Sequence, residues 1–182
     1  MRPPGRVAVV TGSSRSTGAA IARCLGEHGA SVVVNYVTDE QSADEVVQSI
    51  RANGKGGAIA VKANTATVEG GQLLLDEALK TFGRIDILVL NAGIMGSSTL
   101  NELNEAFFDN HFETNVKVPL FMAKAAANVL PSCESIIVRI PAQRSHHSCS
   151  AGGRIIFFSS SLTAASSKSA PLSALSLLTQ PL

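Results

Sequence analysis

Tryptophan is absent from these 182 residues, tyrosine occurs once, and all aromatic side chains together make up 4%. Any chemistry that needs a phenol therefore rests on Tyr36. Charge is scarce as well: 16% of residues are charged and the formal net charge is +1, so there is no basic footprint for nucleic acid. Cys24, Cys133 and Cys149 are odd in number and irregularly spaced. That argues against a disulfide framework and suits free thiols in a reducing compartment, with the cytoplasm as the default. No apolar run approaches the ~20 residues of a membrane span. The opening MRPPG leads straight into a strand-like run, without the layout of a signal peptide.

What the chain does have is apolar residues, 45% of the total, enough for one soluble globular domain over 1–182. Its organising stretch is Val7 to Gly18, VAVVTGSSRSTG. An apolar run breaks at Thr11-Gly12, passes through small polar residues and Arg15, reaches Gly18, and gives way to a helix-like pattern. A strand, a glycine-bearing turn and a helix start form a ready anion site, because N–H groups and the helix dipole both favour a phosphate there.

The rest of the chain alternates strand and helix patterns. Helix is expected over Thr17 to His28, stopped by Gly29, and a buried strand over Ser31 to Tyr36. A capping box, with Thr38 as N-cap and Gln41 reaching back, should open a helix that ends near Asn53-Gly54. Ala58 to Val61 reads as a third strand, Gln72 to Phe82 as a helix, and Ile85 to Leu90, interrupted only by Asp86, as a fourth strand. Helices near Asn101 to Asn110 and from Phe112 to Leu130 follow, the second kinked or started late by Pro119. Ile155 to Phe158 is expected as the fifth strand. Such alternation demands right-handed crossovers and a parallel sheet with helices on both faces, an α/β doubly wound domain of Rossmann type.

Four landmarks in order resemble those of the short-chain dehydrogenase/reductase family: Thr11-Gly12-Ser13-Ser14-Arg15-Ser16-Thr17-Gly18, Asn91-Ala92-Gly93, Asn115, and Gly153-Arg154-Ile155-Ile156-Phe157-Phe158-Ser159-Ser160. The resemblance covers roughly Arg6 to Leu130 and again Gly153 to about Ala165. It implies an NAD(P)-dependent oxidoreductase that moves hydride to or from a carbonyl or alcohol. By resemblance, Gly12 makes the tight turn, Ser14 and Thr17 belong to the phosphate loop, and Gly18 permits close helix-to-strand packing. Ser16 stands where the family has its middle glycine, and its Cβ disfavours the positive φ that glycine adopts. Asn64 stands where the family has an aspartate beside the adenine; Asn91, Ala92 and Gly93 would tie strand ends together and leave room for the cofactor. Asn115 resembles the helix asparagine that holds a water in the proton relay.

NADP is expected over NAD. An NAD enzyme carries a carboxylate at the end of the second strand. Here that place reads Asn35-Tyr36, while Arg15 offers a planar fork for a 2′-phosphate. The expected partners are therefore a nicotinamide dinucleotide, a small carbonyl or alcohol substrate, and a second copy of the chain, with neither nucleic acid nor membrane.

The chain also departs from the family. Ser160 matches the serine that orients the carbonyl, with Ser159 and Ser161 as register alternatives, but the Tyr-x-x-x-Lys pair expected about one loop later is absent; Lys168 has no tyrosine partner. Tyr36, at the adenosine end, cannot serve. A long segment over 131–152 precedes the expected fifth strand, with Ser135 to Ile140 a candidate strand inside it. His146, His147, Cys133 and Cys149 match no zinc pattern, so no metal is expected. The tail, 164–182, does not resemble the family's later elements, and the sheet is expected to be truncated after about the fifth strand.

Overall fold

The structure, a computed structural model, describes residues 5–53, 55–130, 135–139 and 155–159. Six strands form one sheet in the order β3-β2-β1-β4-β5-β6. They are β1 (Val7–Val10), β2 (Ser31–Tyr36), β3 (Ala58–Lys62), β4 (Ile87–Leu90), β5 (Ser135–Arg139) and β6 (Ile155–Ser159). The helices are α1 (Ser16–Glu27), α2 (Glu40–Asn53), α3 (Val68–Phe82), α4 (Glu105–Phe112) and α5 (Val118–Ala127), the last two joined by a π-helical turn, Glu113–Lys117.

Alternation along the strands divides the core in two. Ala8 and Val10, Val32 and Val34, and Ile87 and Val89 point to one face, where Ala19 and Ala22 of α1 and Ala43, Val46, Val47 and Ile50 of α2 cover them. Val9, Val33, Leu88 and Leu90 point to the other, under Leu74, Leu75 and Ala78 of α3 and Val118, Met122 and Ala126 of α5. Strands buried on both faces need uninterrupted apolar runs, and each such side chain contributes about 1.5–3 kcal/mol when fully buried. Asp86 is the tolerated exception. It is fully buried just before β4, but it accepts a 2.7 Å bond from the Val7 N–H and is paired with Arg84. Among the described residues, no helix is long and apolar enough to cross a membrane.

Several boundaries move. Helix α1 ends in a Schellman arrangement at Gly29, whose φ is 87°, with Gly29 N–H to Gly26 C=O at 2.8 Å and Ala30 N–H to Leu25 C=O at 3.0 Å. The cap of α2 is Asp39, one residue beyond the expected Thr38: its carboxylate accepts from the Ser42 N–H at 3.0 Å and the Ser42 hydroxyl at 2.7 Å, and Gln41 takes no part in that pair. A carboxylate at the positive end of a helix outcompetes a neutral hydroxyl. Helix α3 begins a turn earlier than expected because Thr67 caps it, accepting from the Gly70 N–H at 3.1 Å. Helix α4 begins at Glu105, not near Asn101, under an Asn104 cap at 2.9 Å. Pro119 lies in the first turn of α5, directly after the π turn Glu113–Lys117, so α5 starts late, at Val118 rather than Phe112.

The main correction concerns the sheet edge. Ser135–Arg139 takes the fifth position, parallel to β4, while Ile155–Ser159, expected there, pairs outside it and antiparallel, in register Ser135↔Ser159 to Arg139↔Ile155. Both runs are apolar and β-branched, and the one reached first after the α5 crossover fills the place beside β4. The rest of 131–152 and the tail 164–182 lie outside the described residues.

Candidate functional site

At the carboxyl ends of β1, β2, β3 and β4 the chain forms a cavity of about 380 Å³. Gly12, Ser14, Arg15, Ser16, Thr17, Gly18, Asn35, Tyr36, Asn64, Asn91, Ala92 and Gly93 all line it. Asn115 does not, although its neighbour Thr114 and its partner Ile94 do. Ser160 lies outside the described residues, as do Lys168, Cys133, Cys149, His146 and His147. No group of metal-ligating side chains occurs among the described residues.

The turn after β1 is built by hydrogen bonds that reach across the sheet. Thr11 is buried, and its hydroxyl oxygen accepts from the Asn91 and Ala92 N–H groups, each at 2.9 Å. Asn91 Nδ2 returns bonds to the Thr11 and Gly12 carbonyls at 2.9 and 3.1 Å. These bonds lock the end of β4 to the turn. The sequence marks Thr11 only as the start of the turn; its hydroxyl as the anchor of the β4 end is what sequence reasoning missed. Gly12 adopts a φ of 59°.

Helix α1 opens from this turn without a capping side chain. Thr67, Asp39 and Asn104 cap α3, α2 and α4, and α5 continues directly from the π turn, so among the described residues α1 is the helix that starts from a loop without a capping side chain. The first N–H groups of α1 thus face the cavity with no side-chain acceptor, as an anion site requires. Ser16, at N1, has a φ of 51° and is the only described non-glycine residue with positive φ. A left-handed non-glycine residue costs about 1–2 kcal/mol. Ser16→Gly should therefore raise the midpoint of urea unfolding and tighten dinucleotide binding by up to about tenfold. An unchanged midpoint and affinity would show that the turn carries no strain.

The cavity wall at the end of β2 is mixed in charge. Asp39 is held below its ordinary pKa of 3.8 by the Ser42 hydroxyl and N–H, with the Arg15 guanidinium adding to the effect. Arg15 therefore already feels a carboxylate. Tyr36 is 7% exposed. Its phenol is pushed above 10.0 by burial, then by a hydrogen bond to Glu40 and by the charges of Glu40 and Asp44. It stays protonated at neutral pH.

At the opposite end, the Asn115 side chain is spent on the loop after β4. Its Oδ1 accepts from the Ile94 N–H at 2.9 Å and its Nδ2 donates to the Ile94 carbonyl at 3.0 Å. Asn115 sits in the π turn, and this two-way clamp fixes the loop relative to it.

An open, mostly parallel sheet that gathers its polar residues at the strand ends, around a glycine turn and an uncapped helix, defines a dinucleotide-binding fold of Rossmann type. The chain belongs to the short chain dehydrogenase family, which matches residues 6–172. It is 42% identical to versicolorin reductase 1 of Aspergillus parasiticus over 125 residues, 69% of this chain and 47% of that protein. A short chain dehydrogenase from Burkholderia cenocepacia, solved in complex with NADP, superposes with a TM-score of 0.71 at 36% identity, covering 74% of this chain and 55% of the other. A dehydrogenase/reductase from Sinorhizobium meliloti gives a TM-score of 0.71 at 36% identity, covering 75% and 54%. The chain spans about half the length of the curated relatives it matches.

Proposed function

We propose that this chain binds NADP(H) along the carboxyl edge of the sheet, as the cofactor-binding part of an oxidoreductase acting on a carbonyl or alcohol. The observation that carries this reading is the uncapped start of α1 above the Gly12 turn, in a cavity lined by all twelve dinucleotide candidates. Ser14, Ser16, Thr17 and Gly18 would hold the pyrophosphate, Asn64 and Tyr36 the adenosine, and Asn91, Ala92 and Gly93 the nicotinamide side. Arg15, together with the lack of a carboxylate at Asn35-Tyr36, favours a 2′-phosphate. The Burkholderia relative, solved with NADP, supports the same choice. When bound, the cofactor supplies the hydride; the chain's own residues orient it and exclude water.

A second reading is favoured by the position of Tyr36. Within these 182 residues no other tyrosine exists, and this one lines the cavity at the end of β2, the side assigned above to the adenosine. On that reading the chain is a non-catalytic dinucleotide binder, or pairs with a full-length relative. The exposed row Phe108, Phe112, Val116 and Leu120 offers a place for such a partner, or for a second copy. The free thiol of Cys24 fits a cytoplasmic setting.

Titration with NADPH, followed by nicotinamide fluorescence, tests binding. Saturation should occur at micromolar concentrations, with NADP⁺ competing at least about tenfold better than NAD⁺. No saturable signal up to about 1 mM would end the reading.

A further inference from the structure

Asn35 is fully buried at the end of β2, and every polar group it owns is bonded. Its N–H donates to the Ser13 hydroxyl at 2.9 Å, and its carbonyl accepts from the Ser13 N–H at 3.0 Å. The Ser13 hydroxyl in turn donates to the Val10 carbonyl at 2.6 Å. The side chain reaches in two directions: Oδ1 accepts from the Gly12 N–H at 2.9 Å, while Nδ2 donates to the Ala63 carbonyl at 2.9 Å. The Val61 and Tyr36 carbonyls lie at 3.4 and 3.3 Å from Nδ2. One amide therefore joins the turn after β1 to the segment after β3 that leads directly into Asn64.

We infer that Asn35 is a positioning residue for dinucleotide binding: its amide holds the phosphate turn and the adenine-side wall at a fixed separation. This rests on the NADP(H)-binding reading. The two ends of a dinucleotide bind to different strand ends, so affinity depends on holding both in place before the ligand arrives. Removal of the bracket frees Gly12, whose left-handed conformation aims the rest of the turn.

The inference demands an amide. An ionised aspartate would keep the acceptor for Gly12 but turn an oxygen, without a proton, toward the Ala63, Val61 and Tyr36 carbonyls. A buried carboxyl facing acceptors takes up a proton more readily than in water, and the protonated acid restores one donor. Asn35→Asp should therefore be a conditional lesion. The titratable groups on this cavity's walls, Arg15, Tyr36 and Asp39, are common to wild type and variant, so the ratio of their affinities isolates position 35.

The experiment is calorimetric titration of the full chain with NADP⁺ at about pH 5 and pH 8, bracketing the titration of a raised carboxyl. Asn35→Asp should bind within about threefold of wild type at the lower pH and at least about tenfold more weakly at the higher. Equal binding by both proteins at both pH values overturns the inference alone. Absence of binding by wild type overturns the functional reading and this inference with it. Should the variant not fold, amide exchange in the wild type decides: the Asn35 side-chain protons must exchange far more slowly than those of exposed Asn53, and must shift when NADP⁺ binds. Exchange as fast as Asn53, or no shift on binding, overturns it.

Discussion

Gly18→Ala should weaken dinucleotide binding severely and destabilise the fold together. A Cβ at position 18 would lie 2.3 Å from the Gly12 carbonyl oxygen, 2.6 Å from Asn91 Nδ2 and 2.9 Å from Ser13 Cα. Two of these three are backbone atoms in the turn, which cannot swing aside as a flexible side chain would. The third belongs to Asn91, whose amide ties β4 to the turn through Thr11 and Gly12. Overpacking costs about 1–3 kcal/mol, and each displaced Asn91 bond adds about 0.5–1.5 kcal/mol. The turn must move to relieve the clash, so its N–H groups leave the anion position. An affinity loss of about a hundredfold or more is expected in the NADPH titration. Gly26→Ala is the matched control. Its Cβ would meet Ile50 Cγ2 at 2.5 Å, inside the core between α1 and α2 and away from the cavity. It should lower the urea midpoint while leaving NADPH affinity intact. A Gly18→Ala protein that binds like the control would refute the assignment of this turn to the phosphates.

What could be read in the sequence follows from the range of the forces involved. The Val7–Val10 and Ser31–Tyr36 strands were legible because burial on both faces leaves a local record, an apolar run ended by a turn. Gly29 was legible as a helix stop because a left-handed residue, with φ of 87°, selects glycine. The candidate site was legible for the same reason, since its glycines and amides mark strand ends. Decisions that depend on competition were not. Thr38 and Asp39 both suit an N-cap, and geometry chose the carboxylate. Ser135–Arg139 and Ile155–Ser159 compete for the same neighbour, and chain order settled which lies beside β4. Asn115 bonds Ile94, 21 residues away, and no local pattern records that contact. Asn35 was legible as a neutral residue at a strand end; that its amide turns inward to Gly12 and Ala63 was not.

Turnover is where the largest shortfall is expected. Reduction of a carbonyl needs a proton donor within about 2.6–3.2 Å of the developing oxyanion, or one water away. The family places a tyrosine there, its pKa lowered by a lysine. Here Tyr36 ends β2, and β1 stands between β2 and the Asn91-Ala92-Gly93 end of β4. Two strand spacings of about 4.8 Å separate the Tyr36 backbone from that side. The phenol proton is also held more tightly than in free tyrosine, by burial and by Glu40, which is the reverse of what an acid catalyst needs. The chain should therefore oxidise NADPH in the presence of aldehydes and ketones about 10²- to 10⁴-fold more slowly than an enzyme with a placed acid. Water would supply the proton for whatever rate remains. Tyr36→Phe is the decisive comparison: removal of the phenol should leave the residual rate unchanged, even if NADPH affinity shifts. Rates of about 1–10³ s⁻¹ that vanish in Tyr36→Phe would mean that the phenol reaches the reacting carbon after all, and that the cofactor lies reversed along the strand ends.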